Sequence, residues 1–164
     1  VLPSLDSLVP EEFRAVNRAH PGLDPNAIAD GILTFRKGYA GRLRLEILLV
    51  TSRETRRWVT PKGWPMKGKS DHAAAAVEAF EEAGVDGVVL DQPLGIFGYD
   101  KILKTTEIRA VTAALYPLQV VILREDWPEK GQRERRWFTP AEAAEAVQEP
   151  ELAQLILAFG ERQG

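Results

Sequence analysis

The fourteen residues from Ser70 to Ala83, SDHAAAAVEAFEEA, restrict this chain more than any other stretch. Four consecutive alanines followed by Val-Glu-Ala-Phe-Glu-Glu-Ala are strong helix formers, and Gly84 stands where a helix would stop. Ser70 or Asp71 is the expected N-cap. At about 100° per residue, Glu78, Glu81 and Glu82 fall within an arc of about 100°, while Ala73, Ala76, Val77, Phe80 and Gly84 gather opposite. The spacing therefore predicts a core face and an acidic face. Carboxylates at i, i+3 and i+4 repel one another unless a cation sits among them. A hard divalent ion, Mg²⁺ or Mn²⁺ in its place, suits such oxygen ligands and leaves positions for waters or phosphates. A solvated acidic face is the competing reading of the same residues.

The loop ahead of the helix weighs toward the cation. Lys62-Gly63-Trp64-Pro65-Met66-Lys67-Gly68-Lys69 combines two glycines with three lysines before a helix N-terminus. Glycine permits close backbone approach to a ligand, and helix N-termini with nearby lysine attract anions such as phosphate. Arg53, Arg56 and Arg57 extend the basic patch upstream. A patch this local suits a small polyanion better than a long one, or else it is solvated charge beside a hairpin.

Together the loop and helix resemble the Nudix hydrolase family, whose signature runs Gly, five residues, Glu, seven residues, Arg-Glu-hydrophobic-any-Glu-Glu-any-Gly-hydrophobic. Gly63, Glu78, Glu81, Glu82, Gly84 and Val85 match it, with Ala79 as a weak hydrophobic residue. Lys69 replaces the early Glu and Val77 replaces the Arg. Pro61-Lys62-Gly63-Trp64-Pro65 is similar to a bacterial subgroup related to diphosphoinositol and diadenosine polyphosphate hydrolases, and Arg136-Trp137-Phe138-Thr139-Pro140-Ala141 also looks like the family.

Composition bounds the rest. A chain of 164 residues suits one domain, with residues 1–30 as an N-terminal extension and 31–164 as the Nudix-like domain. The net charge of −3 does not suggest wholesale binding to a nucleic acid polymer or an anionic membrane. Without cysteine there is no disulfide, iron–sulfur cluster or catalytic thiol, and two histidines make a zinc site improbable. No apolar run reaches the ~18 residues of a membrane span and no secretory signal is visible, so cytoplasm is the expected compartment.

Along the chain, Pro10 to Arg18 reads as a short helix and Pro25 to Asp30 as a turn, with the leader packing on the domain edge or serving a homodimer. Gly31 to Arg36 and Leu43 to Val50 read as strands about a turn at Lys37 to Gly41, the second half of the latter being apolar as for a strand covered on both faces. Trp58 to Thr60, Val85 to Leu90, Leu94 to Lys101 and Glu134 to Thr139 are further strands. Glu107 to Leu123 is too rich in β-branched residues for a helix, and Pro117 suggests a long bent or bulged strand. Thr139-Pro140-Ala141-Glu142 opens a helix with a capping-box pattern and Pro150 opens another. The fold class is thus α/β with a mixed sheet between helices, similar to the α/β/α sandwich of the Nudix fold.

The resemblance implies hydrolysis of a phosphoanhydride in a nucleoside or inositol diphosphate derivative, with diphosphoinositol polyphosphates or dinucleoside polyphosphates favoured. It implies Glu81 and Glu82 as metal ligands, the Gly63 carbonyl as another, and Glu78 as ligand or water-activating base, so that Glu78 and Glu81 carry the catalysis. Glu129 or Glu134 is the reserve base. Arg56, Arg57, Lys62, Lys67, Lys69, Tyr99, Lys101 and Arg109 are the expected substrate-binding residues. The two departures open a second reading, in which Lys69 points inward in place of metal charge and the domain binds a nucleotide or protein without cleaving it.

Overall fold

The computed structural model describes residues 28–38, 44–103 and 107–163. The helix read at Pro10 to Arg18 lies outside them, as does most of the turn at Lys37 to Gly41. Ile28 to Asp30, read as a turn, instead opens the first strand.

Among the described residues, eight strands form one mixed sheet: β1 (Ile28–Gly38), β2 (Arg44–Thr51), β3 (Trp58–Val59), β4 (Lys62–Gly63), β5 (Val85–Val89), β6 (Gly95–Leu103), β7 (Glu107–Leu123) and β8 (Arg135–Phe138). Strand β1 lies at its centre, parallel to β7 over Ile28 to Phe35 and antiparallel to β2 over Thr34 to Gly38. Further along the same β1 edge that meets β2, Asp30 and Gly31 pair with Gly63 and Lys62 of β4. That pairing fixes the phosphate-loop candidate to the middle of the sheet.

The seventeen-residue strand β7 serves two partners on its other edge, β6 up to Leu115 and β5 from Leu118. Pro117 falls in the gap where the partner changes. Its carbonyl accepts from Leu90, and its absent N–H faces an edge position where neither ladder needs a donor. The register break lies elsewhere, between Asp86 and Gly87.

Alternation of side chains along the central strands makes two cores. Ala29, Leu33, Phe35, Ile47 and Leu49 point toward helices α2 (Pro140–Ala146) and α3 (Pro150–Gln163), which contribute Ala143, Leu152, Ile156 and Phe159. Ile28, Ile32, Leu48 and Val50 point to the opposite face, where helix α1 (Asp71–Ala83) lies through Ala75, Ala79 and Ala83. The run Ile47 to Val50 is buried on both faces, as its sequence requires. The capping box at Thr139 and Glu142 is formed.

Helix α1 starts and stops where local chemistry dictates. The Ser70 hydroxyl accepts from the Ala73 N–H, and Gly84 closes the helix in the left-handed region at φ 68°. Its rotation, however, differs from expectation. Phe80, Val77, Ala73 and Ala76 are only half-buried, and the buried stripe is Ala74, Ala75, Ala79, Glu82 and Ala83. Alanines bring the helix backbone close to the sheet, so the helix packs by its smallest residues and carries Glu82 in beside the core.

Gly84 is also a contact site. A Cβ there would lie 2.6 Å from the Trp127 ring, over which the Arg135 guanidinium sits 3.9 Å from the centroid. Arg135 donates to the Ala83 carbonyl, completing the C-terminal cap. Gly84→Ala would combine left-handed strain with overpacking, together about 2–4 kcal/mol. A Tm lower by roughly 5–15 °C is expected in a thermal melt; a change within error would show that the ring gives way freely.

Candidate functional site

Between the loop after β2, strand β4, helix α1, strand β6 and the loop before β8 lies a cavity of about 340 Å³. Glu78, Glu82 and Gly63 line it, with Trp64 and Glu129. Its cationic wall is Arg53, Arg57, Lys62, Lys101 and Arg133. Strand pairing places β4, and the helix caps place α1, so the two halves of the signature meet here by independent constraints.

Gly63 and Glu78 are in direct contact. A Cβ on Gly63 would lie 2.2 Å from Glu78 Oε1, so only glycine leaves this carboxylate where it stands. Glu78 is hydrogen-bonded to Glu82. Burial first, then the negative charge and hydrogen bond of Glu82 and the charges of Glu81 and Glu129, raise the Glu78 pKa from 4.5 to about 8. Glu82 is buried and also raised, chiefly by desolvation, with Arg133 and Lys62 opposing. Its Oε2 accepts from the Lys62 N–H at 3.3 Å and its Oε1 lies 3.2 Å from Arg133 Nη2.

Among the described residues no three acidic or histidine side chains stand ready-grouped as a metal cage. The donor set nevertheless fits a hard divalent cation: two neighbouring, desolvated carboxylates, whose affinity for a proton burial raises, would be neutralised by such a cation. Glu78 and Glu82 would hold the ion. Glu81 is half-buried outside the cavity lining, near enough for its charge to bear on Glu78, and its backbone carbonyl accepts from the Glu129 N–H.

The proton makes a measurable prediction for protein stripped of divalent ions. Between pH 4.5 and about 8 the folded state retains a proton on Glu78 that the unfolded chain has released. Stability must then fall as pH rises through this window. Melts in chelator are expected to give a lower Tm at pH 8 than at pH 6, with the slope reduced in Glu78→Gln; an identical slope in the two proteins would contradict the assignment.

The expected substrate-binding residues divide. Arg57, Lys62, Tyr99 and Lys101 line the cavity. The Lys62 amine sits 4.5 Å above the Tyr99 ring, and burial lowers its pKa to about 8 against the pull of Glu82 and Glu149. Lys101 lies 4.8 Å above the Trp64 ring, while Trp58 packs edge-on against Phe138. Arg56, Lys67, Lys69 and Arg109 do not line it. Arg56, at φ 58°, donates instead to the Gln132 carbonyl, and Lys67 and Lys69 are exposed on the turn before α1. Lys69 therefore does not point inward in place of metal charge. Arg133 and Glu129 complete the site from the loop before β8, and the sequence signals neither as partners of the helix except through the reserve role considered for Glu129. The other reserve, Glu134, is exposed outside the cavity.

A mixed sheet between helices, with a glycine strand and a glutamate helix meeting over one cavity, is the arrangement to which the family comparison corresponds. Residues 25–159 match the NUDIX domain model, and the chain belongs to that family. Among similar proteins, Nudix hydrolase 12, mitochondrial, of Arabidopsis thaliana is 38% identical over 105 residues, covering 62% of this chain and 52% of its own. Diphosphoinositol polyphosphate phosphohydrolase 3-beta of Homo sapiens is 35% identical over 106 residues, covering 63% and 60%. The chain thus spans about half to three fifths of the length of these relatives. A C. elegans Ap4A hydrolase structure superposes with a TM-score of 0.57 at 22% identity over 83% of this chain and 97% of that one. The NUDIX domain of Shewanella oneidensis NrtR complexed with ADP ribose does so at 0.62 and 14% identity, over 95% and 100%. These two likenesses show the fold.

Proposed function

We propose that this domain is a metal-dependent hydrolase of phosphoanhydride bonds in a nucleoside or inositol diphosphate derivative. The observation that carries the reading is the Glu78 and Glu82 pair, set against Gly63 on the wall of a cavity faced by Arg57, Lys62 and Lys101. Mg²⁺, with Mn²⁺ as substitute, would supply charge neutralisation at phosphate oxygens and a water of lowered pKa. Glu78, Glu82 and the Gly63 carbonyl would hold it, with Glu81 beside them. Lys62, Arg57 and Lys101 bind and orient the phosphates, and Trp64 walls the cavity next to Lys101. Glu129 is the base that accepts the proton of the attacking water, because it lines the cavity while Glu134 does not.

A second concavity of about 830 Å³ adjoins the first through Arg57, Tyr99 and Asp100. Among the described residues its charged lining is Asp100, Glu149 and Glu151 against Arg57, and that arginine is 2.8 Å from Glu149. Carboxylates favour the hydroxyls and amines of a nucleoside over further phosphates, and this supports dinucleoside polyphosphates over diphosphoinositol polyphosphates as substrate. The homologue names support either class. Comparing kcat/KM for a diadenosine polyphosphate and a diphosphoinositol polyphosphate tests this order: the dinucleotide is expected to be preferred at least about tenfold, a difference of roughly 1.4 kcal/mol. Preference for the inositol compound would reverse it.

A further inference from the structure

Helix α1 contains three glutamates and neither lysine nor arginine, so whatever fixes its carboxylates must come from outside it. One guanidinium does so from a loop fifty residues away. Arg133 Nη2 lies 3.2 Å from Glu82 Oε1, its Nε donates to Glu129 Oε1 at 2.8 Å, and its Nη1 donates to the Thr51 carbonyl at 3.1 Å. All three arms of the fork are thus engaged. The arginine side chain is 11% exposed, and its pairs with Glu82 and Glu129 are correspondingly shielded from water.

The base of this loop is itself clamped. The Thr51 N–H donates to the Glu134 carbonyl, and Thr51 Oγ1 accepts from the Glu134 N–H at 2.9 Å, so β2 holds the residue that follows Arg133. The Glu129 N–H donates to the Glu81 carbonyl, tying the loop to α1 as well. Arg133 therefore sits at a fixed point between the sheet and the helix. Val77, where the Nudix signature has arginine, supplies no charge from the helix.

We propose that Arg133 is the positioning residue of this site: one guanidinium, delivered from the loop before β8 rather than from the helix, orients Glu82 as a metal ligand and Glu129 as its neighbour. The proposal rests on the metal-site reading above. A fixed cation between two carboxylates holds Glu82 Oε1 and Glu129 Oε1 at set positions on the cavity wall. It also reduces the repulsion among the carboxylates before the metal enters. A lysine, as a point charge without a planar fork, meets these demands only in part.

The test is Mg²⁺ affinity, measured by calorimetry and by the Mg²⁺-dependent rise in Tm, for the native protein, Arg133→Met and Arg133→Lys, with kcat and KM measured beside them. Arg133→Met is expected to weaken Mg²⁺ binding about tenfold or more and to lower kcat by a similar factor with KM little changed, the scale of losses when groups orienting metal ligands are removed. Arg133→Lys, which keeps a cation beside both carboxylates and so preserves the fold if the methionine variant fails, is expected to fall between. Mg²⁺ affinity within twofold of native in both variants would overturn the proposal, as would a fall in Tm with Mg²⁺ affinity unchanged. If the native protein binds Mg²⁺ yet cleaves no phosphoanhydride, the hydrolase reading fails, while the affinity comparison still decides the role of Arg133.

Discussion

Glu82→Gln is expected to lower turnover at least about a hundredfold while leaving the metal-free fold no less stable. On the proposed reading the loss follows from removing a metal ligand, since transition-state charge stabilisation of about 3 kcal/mol corresponds to that factor. Stability is retained for a reason specific to this site. Glu82 is a buried carboxylate beside Glu78, and its charge is opposed by desolvation before any partner is counted. The amide removes one member of the repelling set. It strands no cation, because Arg133 keeps Glu129 at 2.8 Å and the Thr51 carbonyl at 3.1 Å. Thermal melts with and without Mg²⁺ separate the two effects: the native Tm should rise with Mg²⁺ and the variant's should not. A variant that loses activity by unfolding would contradict this account of Glu82.

Gly63→Ala should also damage turnover, by at least about tenfold, through loss of positioning rather than of a ligand. The new methyl would meet Glu78 Oε1 at 2.2 Å and Cδ at 2.3 Å, distances that only movement of Glu78 can relieve. The end of a glutamate side chain can swing away at small cost, unlike the Trp127 ring that confronts Gly84. The two glycine variants are therefore opposites: Gly84→Ala lowers Tm, and Gly63→Ala keeps Tm within a few degrees while kcat and Mg²⁺ affinity fall. A Gly63→Ala protein with native kcat would show that Glu78 need not occupy its observed place.

What the sequence made legible is what local chemistry decides. Ser70 and Gly84 bound α1 because a hydroxyl cap and a left-handed glycine act within one turn, and Thr139 with Glu142 announces α2 in the same way. The apolar run Ile47 to Val50 declared a strand covered on both faces. The rotation of α1 was not legible, because hydrophobicity ranks Phe80 and Val77 above alanine, whereas closeness to the sheet selects Ala75, Ala79 and Ala83. Of the basic patch, Arg53, Arg57 and Lys62 reach the cavity, while Arg56 turns to Gln132 and Lys67 and Lys69 lie on an exposed turn; nearness in sequence carries no direction. Arg133 was hidden for a different reason. Its partners Glu82 and Thr51 are joined to it only by tertiary folding, and the helix, though it lacks lysine and arginine, does not record which residue supplies its cation.

The most direct test of the central claim is phosphate release by the native protein from a panel of diadenosine polyphosphates, diphosphoinositol polyphosphates, nucleotide sugars and nucleoside triphosphates, in Mg²⁺ and again in chelator. The account predicts turnover of at least one phosphoanhydride class in Mg²⁺, abolished by chelator and restored by added Mg²⁺ or Mn²⁺. No turnover of any member by folded, Mg²⁺-binding protein would contradict it and leave a NUDIX domain that holds a phosphorylated ligand without cleaving it.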